Sequence, residues 1–163
     1  MPPRTTFVSQ QATLTLREAK ITGPPVSVRA LAAYHAITLV PVHGWPSGAH
    51  AQWQPRLREI RFRAEDPDVR KRFSIGHELG HLRLGHHPLT FSSTVDPESQ
   101  DYAADESKAR EDEADQFARE LLLPPTWVRA DWQKGLRWDD LAERYKVSRS
   151  AAGVAADRYR LPL

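Results

Sequence analysis

Two histidines separated by three residues are the strongest chemical signal in this chain. The run from His77 to His81 reads H-E-L-G-H. If the run is helical, both imidazoles lie on one face, one turn apart, where a single Zn²⁺ can bind a nitrogen from each. Glu78 then lies about 60° round the helix from His81, close enough to hold a water at the metal without being a ligand. This spacing predicts a hydrolytic metal site, provided that a third ligand exists.

The neighbouring residues favour a helix at this position. On a helical wheel the apolar residues Ile75, Leu79 and Leu82 fall at about 140–200° from the first histidine, which is the opposite face. We therefore predict a helix from about residue 69 to residue 84, with one face in the core and the other carrying the ligands. Gly80 weakens such a helix by about 1 kcal/mol relative to Ala, and a position beside the ligand face is a reason to accept that weakening.

The third ligand is expected from the next acidic helix, predicted over residues 105–123. Glu111 and Glu113 compete for the role. On the helical wheel Glu111 shares an apolar, buried face with Asp115, whereas Glu113 falls about 200° away on the face expected to meet water. Glu111 is therefore predicted as the ligand. Asp115, one turn later, is placed to hydrogen-bond a liganding histidine and fix its tautomer.

Both segments resemble the signatures of a known family. Residues 72–81 read R-F-S-I-G-H-E-L-G-H and are similar to the R-F-x-x-x-H-E-x-G-H segment of the ImmA/IrrE metallopeptidases. Residues 111–118 read E-D-E-A-D-Q-F-A, followed by L-L-L-P at 121–124, and resemble that family's E-x-x-A-N-x-F-A and L-L-x-P segments. The resemblance extends over about residues 26–161, and two motifs in the right order are more specific than either alone.

The resemblance implies a zinc-dependent endopeptidase. The implied metal ligands are His77, His81 and Glu111, with Glu78 as the general base. Asp115 stands where the family usually has Asn, and it still offers an oxygen to an imidazole. Members of this family act on one specific protein, often an Xre-type helix-turn-helix repressor, in stress or DNA-damage responses, mobile elements or toxin–antitoxin pairs. A site of two histidines and one carboxylate also accepts Mn²⁺, Fe²⁺ or Co²⁺.

The composition is that of an ordinary soluble globular protein. The chain has 163 residues, a net charge of +2 and no cysteine. Its length suits one domain, and the missing cysteines exclude disulfide frameworks and thiolate zinc sites and favour a reducing compartment. The small net charge argues against a general polyanion binder. The first twenty residues have no apolar h-region and no run approaches a membrane span, so a cytoplasmic location is expected.

The remaining pattern predicts an α+β, mostly helical, zincin-like metallopeptidase domain over residues 23–163. Residues 1–22 are polar with little periodicity and are predicted to be a polar N-terminal arm, either a frayed tail or an arm on the surface. A short helix is expected at residues 26–36. Strands are expected at residues 37–42, 49–54 and 59–63. They would form a small three-stranded antiparallel sheet packed on the helix that carries the histidines.

The segment after that helix is predicted to border the active site. Residues 88–104 lack periodicity, and loops of this length are commonly functional rims. Tyr102 lies on this predicted loop and could assist an oxyanion. His86 closes the preceding helix on its apolar side and is expected to be structural, or a C-terminal cap, rather than a ligand.

The tail, residues 136–161, is predicted to form two helices joined by a tight turn, with Ser148 as the N-cap of the second helix. It resembles part of a helix-turn-helix, so a DNA-binding regulator is one alternative function. Packing on the peptidase core is favoured over DNA binding. Another alternative is a non-hydrolytic, metal-bound module that binds a repressor. Glu78 argues against it, because purely structural zinc sites more often close with a fourth protein ligand.

Overall fold

The computed structural model describes residues 2–45, 48–86 and 97–162, and of residues 97–106 it describes only the helical backbone. Within these ranges the elements in chain order are α1 (Thr5–Glu18), α2 (Val28–Tyr34), β1 (Thr38–Val42), β2 (Ala51–Gln54), β3 (Glu59–Arg63), α3 (Asp68–Arg83), α4 (Pro97–Leu122), α5 (Pro125–Gln133), α6 (Trp138–Tyr145) and α7 (Arg149–Arg158). The prediction of a mostly helical α+β fold with a small three-stranded sheet is confirmed. No helix among the described residues is long and apolar enough to cross a membrane.

The sheet is mixed, so the prediction of purely antiparallel pairing is wrong. Its strand order is β1-β3-β2, with β3 parallel to β1 and antiparallel to β2. Strand β2 does not pair with β1. The turn after β2 places β3 between the two strands, parallel to β1. Ile60 and Phe62 alternate along β3 as its buried residues and pack into the core, on which α3 also lies. The helix with the histidines is thus supported by the sheet, as expected.

Helices α3 and α4 pack antiparallel and close together because small residues face one another. Gly76 lies against Ala118, and Gly80 lies against Ala114. A Cβ atom added to Gly80 would approach the Phe117 side chain to 3.1 Å and the Ala114 Cα to 3.3 Å, which is tighter than ordinary van der Waals contact. Gly80 therefore permits the close approach of α4, and this approach brings α4 side chains to the histidines.

The N-terminal segment contains a packed helix, Thr5–Glu18, so the prediction of a frayed tail or a surface arm is wrong for these residues. Helix α1 lies on α4 and buries Val8, Ala12 and Leu16 in the main core. These three residues are spaced by four and form one apolar face. The intervening polar residues hid this period in the sequence. Because α1 covers one side of α4, it changes which α4 side chains meet water.

The predicted loop at residues 88–104 is helical in its second half. Helix α4 begins at Pro97, and proline is favoured in the first turn of a helix because its missing N–H needs no partner there. The prediction of a loop is therefore wrong for residues 97–104. Residues 87–96 lie outside the described residues, and so does the side chain of Tyr102.

The C-terminal helices pack into the same core. Leu141 and Tyr145 of α6 and Ala152 and Ala155 of α7 are all buried. The predicted N-cap is confirmed, because the Ser148 hydroxyl accepts a hydrogen bond from the third residue of α7 at 3.0 Å.

A buried carboxylate on α5 fastens the tail. Tyr145 donates its hydroxyl hydrogen to Asp131 Oδ2 at 2.9 Å, and Arg144 Nε donates to the same oxygen at 2.7 Å. The guanidinium of Arg72, on α3, donates to the backbone oxygens of Tyr145 and Lys146 at the end of α6. The tail is thereby joined both to α5 and to the helix with the histidines.

Candidate metal centre

The two histidines of α3 converge on one point. The Nε2 atoms of His77 and His81 lie 3.0 Å apart. Both side chains are mostly buried, at 16% exposure each. Since the residues are four apart on a regular helix, their imidazoles leave the same face one turn apart. The helical period predicted from the sequence therefore produces the expected pairing of ring nitrogens.

Glu111 of α4 meets both imidazoles. Its Oε2 lies 3.1 Å from His77 Nε2, and its Oε1 lies 3.3 Å from His81 Nε2. Two ligands of a tetrahedral Zn²⁺, each about 2.0–2.1 Å from the ion, lie about 3.3 Å apart. The separations of these four atoms thus fit a single divalent ion, and a set of two imidazoles and one carboxylate is chemically suited to it. Glu111 is 57% exposed, so the expectation that it lies on a buried face is wrong.

Asp115 orients the first imidazole. Its Oδ1 lies 2.8 Å from His77 Nδ1, which places the imidazole N–H on the carboxylate and leaves Nε2 for an ion. Burial lowers the pKa of His77, but hydrogen bonds to Asp115 and Glu111 outweigh it and raise that pKa to about 9. Metal binding at neutral pH would therefore release a proton from this histidine.

The second imidazole, that of His81, contacts a different set of groups, which are buried. His81 Nδ1 lies 2.9 Å from His86 Nδ1, and His86 Nε2 lies 2.8 Å from Glu113 Oε2. Glu113 also accepts hydrogen bonds from the backbone N–H and the guanidinium of Arg4. Its side chain is 5% exposed, so the expectation that Glu113 meets water is wrong. The reason is α1, which covers this side of α4.

Electrostatics keep this buried carboxylate ionised. Burial raises the pKa of Glu113, but hydrogen bonds from Arg4 and His86 bring it down to about 2. For His86, burial is the main influence and lowers its pKa, which favours the neutral ring. His86 contacts a candidate ligand, His81, which the sequence reasoning missed. Gly85, the helix-ending residue before it, was the signal that could have revealed this contact.

Glu78 lies beside the two histidines but is held by the sheet. One potential ligand atom from each of His77, Glu78 and His81 lies within 4.8 Å of the others. The Oε2 of Glu78 accepts a hydrogen bond from the backbone N–H of Trp53 on strand β2, at 2.7 Å. Because Glu111 approaches both Nε2 atoms within 3.3 Å, Glu111 is the better third ligand. Burial raises the pKa of Glu78.

The centre opens onto a cleft of about 680 Å³. One wall is formed by residues 49–51 at the start of β2, and another by side chains from residues 147–154, which include the first turn of α7. Glu78 and Glu111 both line the space between these walls. No pattern in the sequence indicated that the tail contributes a wall of this cleft, because that contact depends on tertiary packing. Tyr102 was expected at the rim, and its side chain lies outside the described residues.

A model of the IrrE N-terminal-like domain family, Peptidase_M78, matches residues 32–157, and the chain belongs to this family. A solved structure described as a Mycobacterium tuberculosis transcriptional regulator has the same fold, with a TM-score of 0.66 and 18% sequence identity. The match covers 90% of this chain and 45% of that chain, so this chain spans less than half the length of the regulator. No curated protein matches the chain. Family and site together define a metallopeptidase-like domain with residues that can hold a divalent metal ion.

Proposed function

We propose that this protein is a zinc-dependent endopeptidase that makes limited cuts in one specific protein. The observation that supports this most directly is the convergence of His77, His81 and Glu111, whose ligand atoms lie 3.0–3.3 Å from one another at the side of an open cleft. Three protein ligands leave a coordination position for the reaction, as hydrolytic zinc sites require. In this proposal Glu78 lies beside the ion as a base and Glu111, which approaches both Nε2 atoms, is the third ligand.

In this proposal, metal binding and proton transfer are carried out by different residues. His77, His81 and Glu111 would hold the ion, which when bound supplies an acidified water and an electrophile for the scissile carbonyl. Glu78 would accept the proton of the attacking water and pass it to the leaving amine. Burial raises the pKa of Glu78 above its ordinary value, and a raised pKa favours a carboxylate that takes up and gives back a proton. The N–H of Trp53 holds one oxygen of Glu78 and so restricts its rotation.

The substrate is proposed from the family and from the shape of the cleft. A cleft of about 680 Å³ between β2 and the first turn of α7 has room for a few residues of an extended chain. Limited proteolysis of an Xre-type helix-turn-helix repressor, in a stress response, a DNA-damage response, a mobile element or a toxin–antitoxin pair, fits such a site. We place this reaction in the cytoplasm, with no membrane partner.

Co-expression with a repressor-like protein encoded beside this one tests the proposal. Wild-type protein should fragment the repressor, whereas Glu78→Gln should keep its zinc and lower the cleavage rate by about 10²–10⁴-fold or more, as expected for loss of a general base. Zinc content is measured on the same preparations. Glu143→Gln, an exposed change on α6 outside the cleft, is the matched control and should cleave normally. Undiminished cleavage by Glu78→Gln would refute the proposed role.

DNA binding through residues 136–161 is the weaker alternative. Two of its basic residues already have acidic partners, since Arg144 pairs with Asp131 at 2.7 Å and Arg149 pairs with Asp139 at 2.8 Å. The first turn of α7, which a helix-turn-helix would present to bases, lines the cleft instead. A salt-dependent mobility shift of duplex DNA by the protein alone would favour this alternative.

A further inference from the structure

A line of hydrogen bonds leads from the N-terminal segment to the metal centre. It runs from Arg4 to Glu113, from Glu113 to His86, and from His86 to His81. We call Arg4, Glu113 and His86 the His86 relay. The side chains of Glu113 and His86 are each 5% exposed, so this contact is shielded from water. Shielding makes the direction of each hydrogen bond matter, because no solvent can replace a missing partner.

The end of α3 is shaped to place His86 on His81. Gly85 has a φ of +70°, the left-handed conformation that glycine adopts without strain. The N–H of His86 donates to the backbone oxygen of His81, and the N–H of Gly85 donates to the backbone oxygen of Leu82. This is the Schellman pattern, which turns the chain back over the last helical turn. The imidazole of His86 is thereby returned to the imidazole five residues earlier.

With His86 neutral, the hydrogen bond between its Nε2 and Glu113 leaves one proton arrangement along the relay. Glu113 is a carboxylate that accepts hydrogen bonds from three donor atoms of Arg4, so its contact with His86 Nε2 requires an N–H on that nitrogen. With a proton on Nε2, the Nδ1 of neutral His86 is an acceptor. The Nδ1 of His81 must then carry a hydrogen and donate it. The Nε2 of His81 is left with its lone pair directed at His77 and Glu111.

We propose that His86, held by Glu113 and Arg4, is a positioning residue that fixes the tautomer and orientation of His81 for metal binding. The N-terminal segment thereby becomes part of the metal centre, although it supplies no ligand. This inference rests on the metal-binding half of the proposed function and is independent of peptide cleavage. It also explains why Arg4 directs three donors at one carboxylate.

Zinc affinity of the metal-free protein, measured by competition with a chromophoric chelator, tests the relay. His86→Leu introduces an apolar side chain of similar size that cannot accept a hydrogen bond. It should weaken zinc binding by about 10–100-fold. His86→Gln can accept through its amide oxygen and donate to Glu113 through its amide nitrogen, so it should restore most of the affinity. Arg4→Met should lose less zinc affinity than His86→Leu, because Arg4 reaches His81 only through Glu113 and His86.

The matched control is Arg83→Ala. Arg83 also joins α3 to α1, through Glu18 at 3.2 Å and Gln11 at 3.4 Å, but it takes no part in the relay. It should reduce thermal stability while leaving zinc affinity within a few-fold of wild type. Circular dichroism of each metal-free variant verifies that it is folded.

Long-range ¹H–¹⁵N spectra of the histidines in the metal-free protein give a second readout. They should show His81 protonated at Nδ1 in wild type and in His86→Gln, and a mixture of tautomers in His86→Leu.

Each outcome decides one question. Zinc affinity of His86→Leu equal to wild type, with an unchanged His81 tautomer, would overturn the relay and leave the proposed function intact. Equal losses for His86→Leu and Arg83→Ala would also overturn it, because they would assign the effect to helix packing. An unchanged affinity of Arg4→Met would remove the N-terminal segment from the inference. A wild-type protein that binds no zinc would overturn both the relay and the proposed peptidase.

Discussion

Two glutamates on α4, two residues apart, have opposite surroundings. Glu111 is 57% exposed and touches both candidate ligand imidazoles at the side of the cleft. Glu113 is 5% exposed and lies under α1 between a guanidinium and an imidazole. The exposed carboxylate has the geometry for chemistry, and the buried one has the geometry for support. A carboxylate that is to bind an ion beside a substrate must be reachable, whereas a buried carboxylate must have a permanent partner.

The same contrast separates the supports of the two histidines. His77 is oriented by Asp115, a half-exposed residue in direct contact with it. His81 is oriented by His86, which depends in turn on the buried Glu113. Asp115 is half-exposed, so we expect its replacement to have little effect on the fold. His86 and Glu113 are buried, so their replacement should disturb the packing around them. Substitutions on the two sides of α4 should therefore separate metal binding from stability.

The largest effect is expected from Glu111→Ala. Loss of a ligand should weaken zinc binding by more than the roughly 10–100-fold typical of an outer hydrogen-bond partner. The melting temperature of the metal-free protein should change little, because the side chain is mostly exposed. Chelator competition measures the affinity, with Asp112→Ala as the control at the adjacent, half-exposed carboxylate. Affinity within tenfold of wild type would mean that Glu78 is the third ligand instead.

Glu113→Ala should show the reverse pattern. It leaves His86 buried without its acceptor and Arg4 without its carboxylate, so we expect the free energy of unfolding to fall by about 2–4 kcal/mol. Urea denaturation of the metal-free protein measures this loss, and Glu111→Ala serves as the comparison. A loss below about 1 kcal/mol would show that the buried ion pair contributes no more than an exposed one.

The sequence predicts those parts of this site that depend on residues close together in the chain, and not those that depend on distant segments. The helical period alone places His77 beside His81, and Glu111 beside Asp115, because positions four apart share a face in any helix. The same wheel was wrong about which face of α4 meets water. That outcome depends on α1, whose apolar residues Val8, Ala12 and Leu16 are remote from α4 in the sequence.

Two further errors have different origins. Strand order is a tertiary property, so the alternation in Glu59–Arg63 predicted a strand but not its place between β1 and β2. The position of His86 could have been anticipated, because glycine directly after a helix favours the turn that Gly85 makes. Such a turn folds the chain back over the last helical turn, so Gly85 is a sequence signal that His86 lies close to that turn.

An intermediate effect is expected at Asp115. Asp115→Ala removes the acceptor of the His77 Nδ1–H, and zinc affinity should fall by about 10–100-fold. Asp115→Asn keeps a carbonyl oxygen at the same place, so its loss should stay below about tenfold. Neither variant should lower the free energy of unfolding by more than about 0.5 kcal/mol, since the side chain is half-exposed. A stability loss as large as that of Glu113→Ala would contradict the division between the two sides of α4.

The smallest effect is expected at a third carboxylate, Asp131 of α5. Burial raises its pKa, but hydrogen bonds from Tyr145, Arg144 and Lys134 outweigh burial, so that its folded-state pKa lies below the ordinary value. A lowered carboxylate pKa stabilises the fold above the unfolded-state pKa of about 3.9, and this stability is lost as pH falls through the folded-state value. Between pH 5 and pH 3, wild type should therefore lose more unfolding free energy than Asp131→Asn, by on the order of 1 kcal/mol.

Urea denaturation at each pH measures this difference, and the control is Asp139→Asn. Asp139 pairs with Arg149, but both side chains are largely exposed, and such a pair contributes little. Its pH dependence should match wild type, because removal of so exposed an ion pair changes stability little. The unfolding free energy of Asp131→Asn could instead show the same pH dependence as that of wild type. Burial of the Asp131 carboxylate on α5 would then not stabilise the fold in the way expected for the buried Glu113 on α4. The contrast between exposed and buried carboxylates would then be confined to the surroundings of the metal centre.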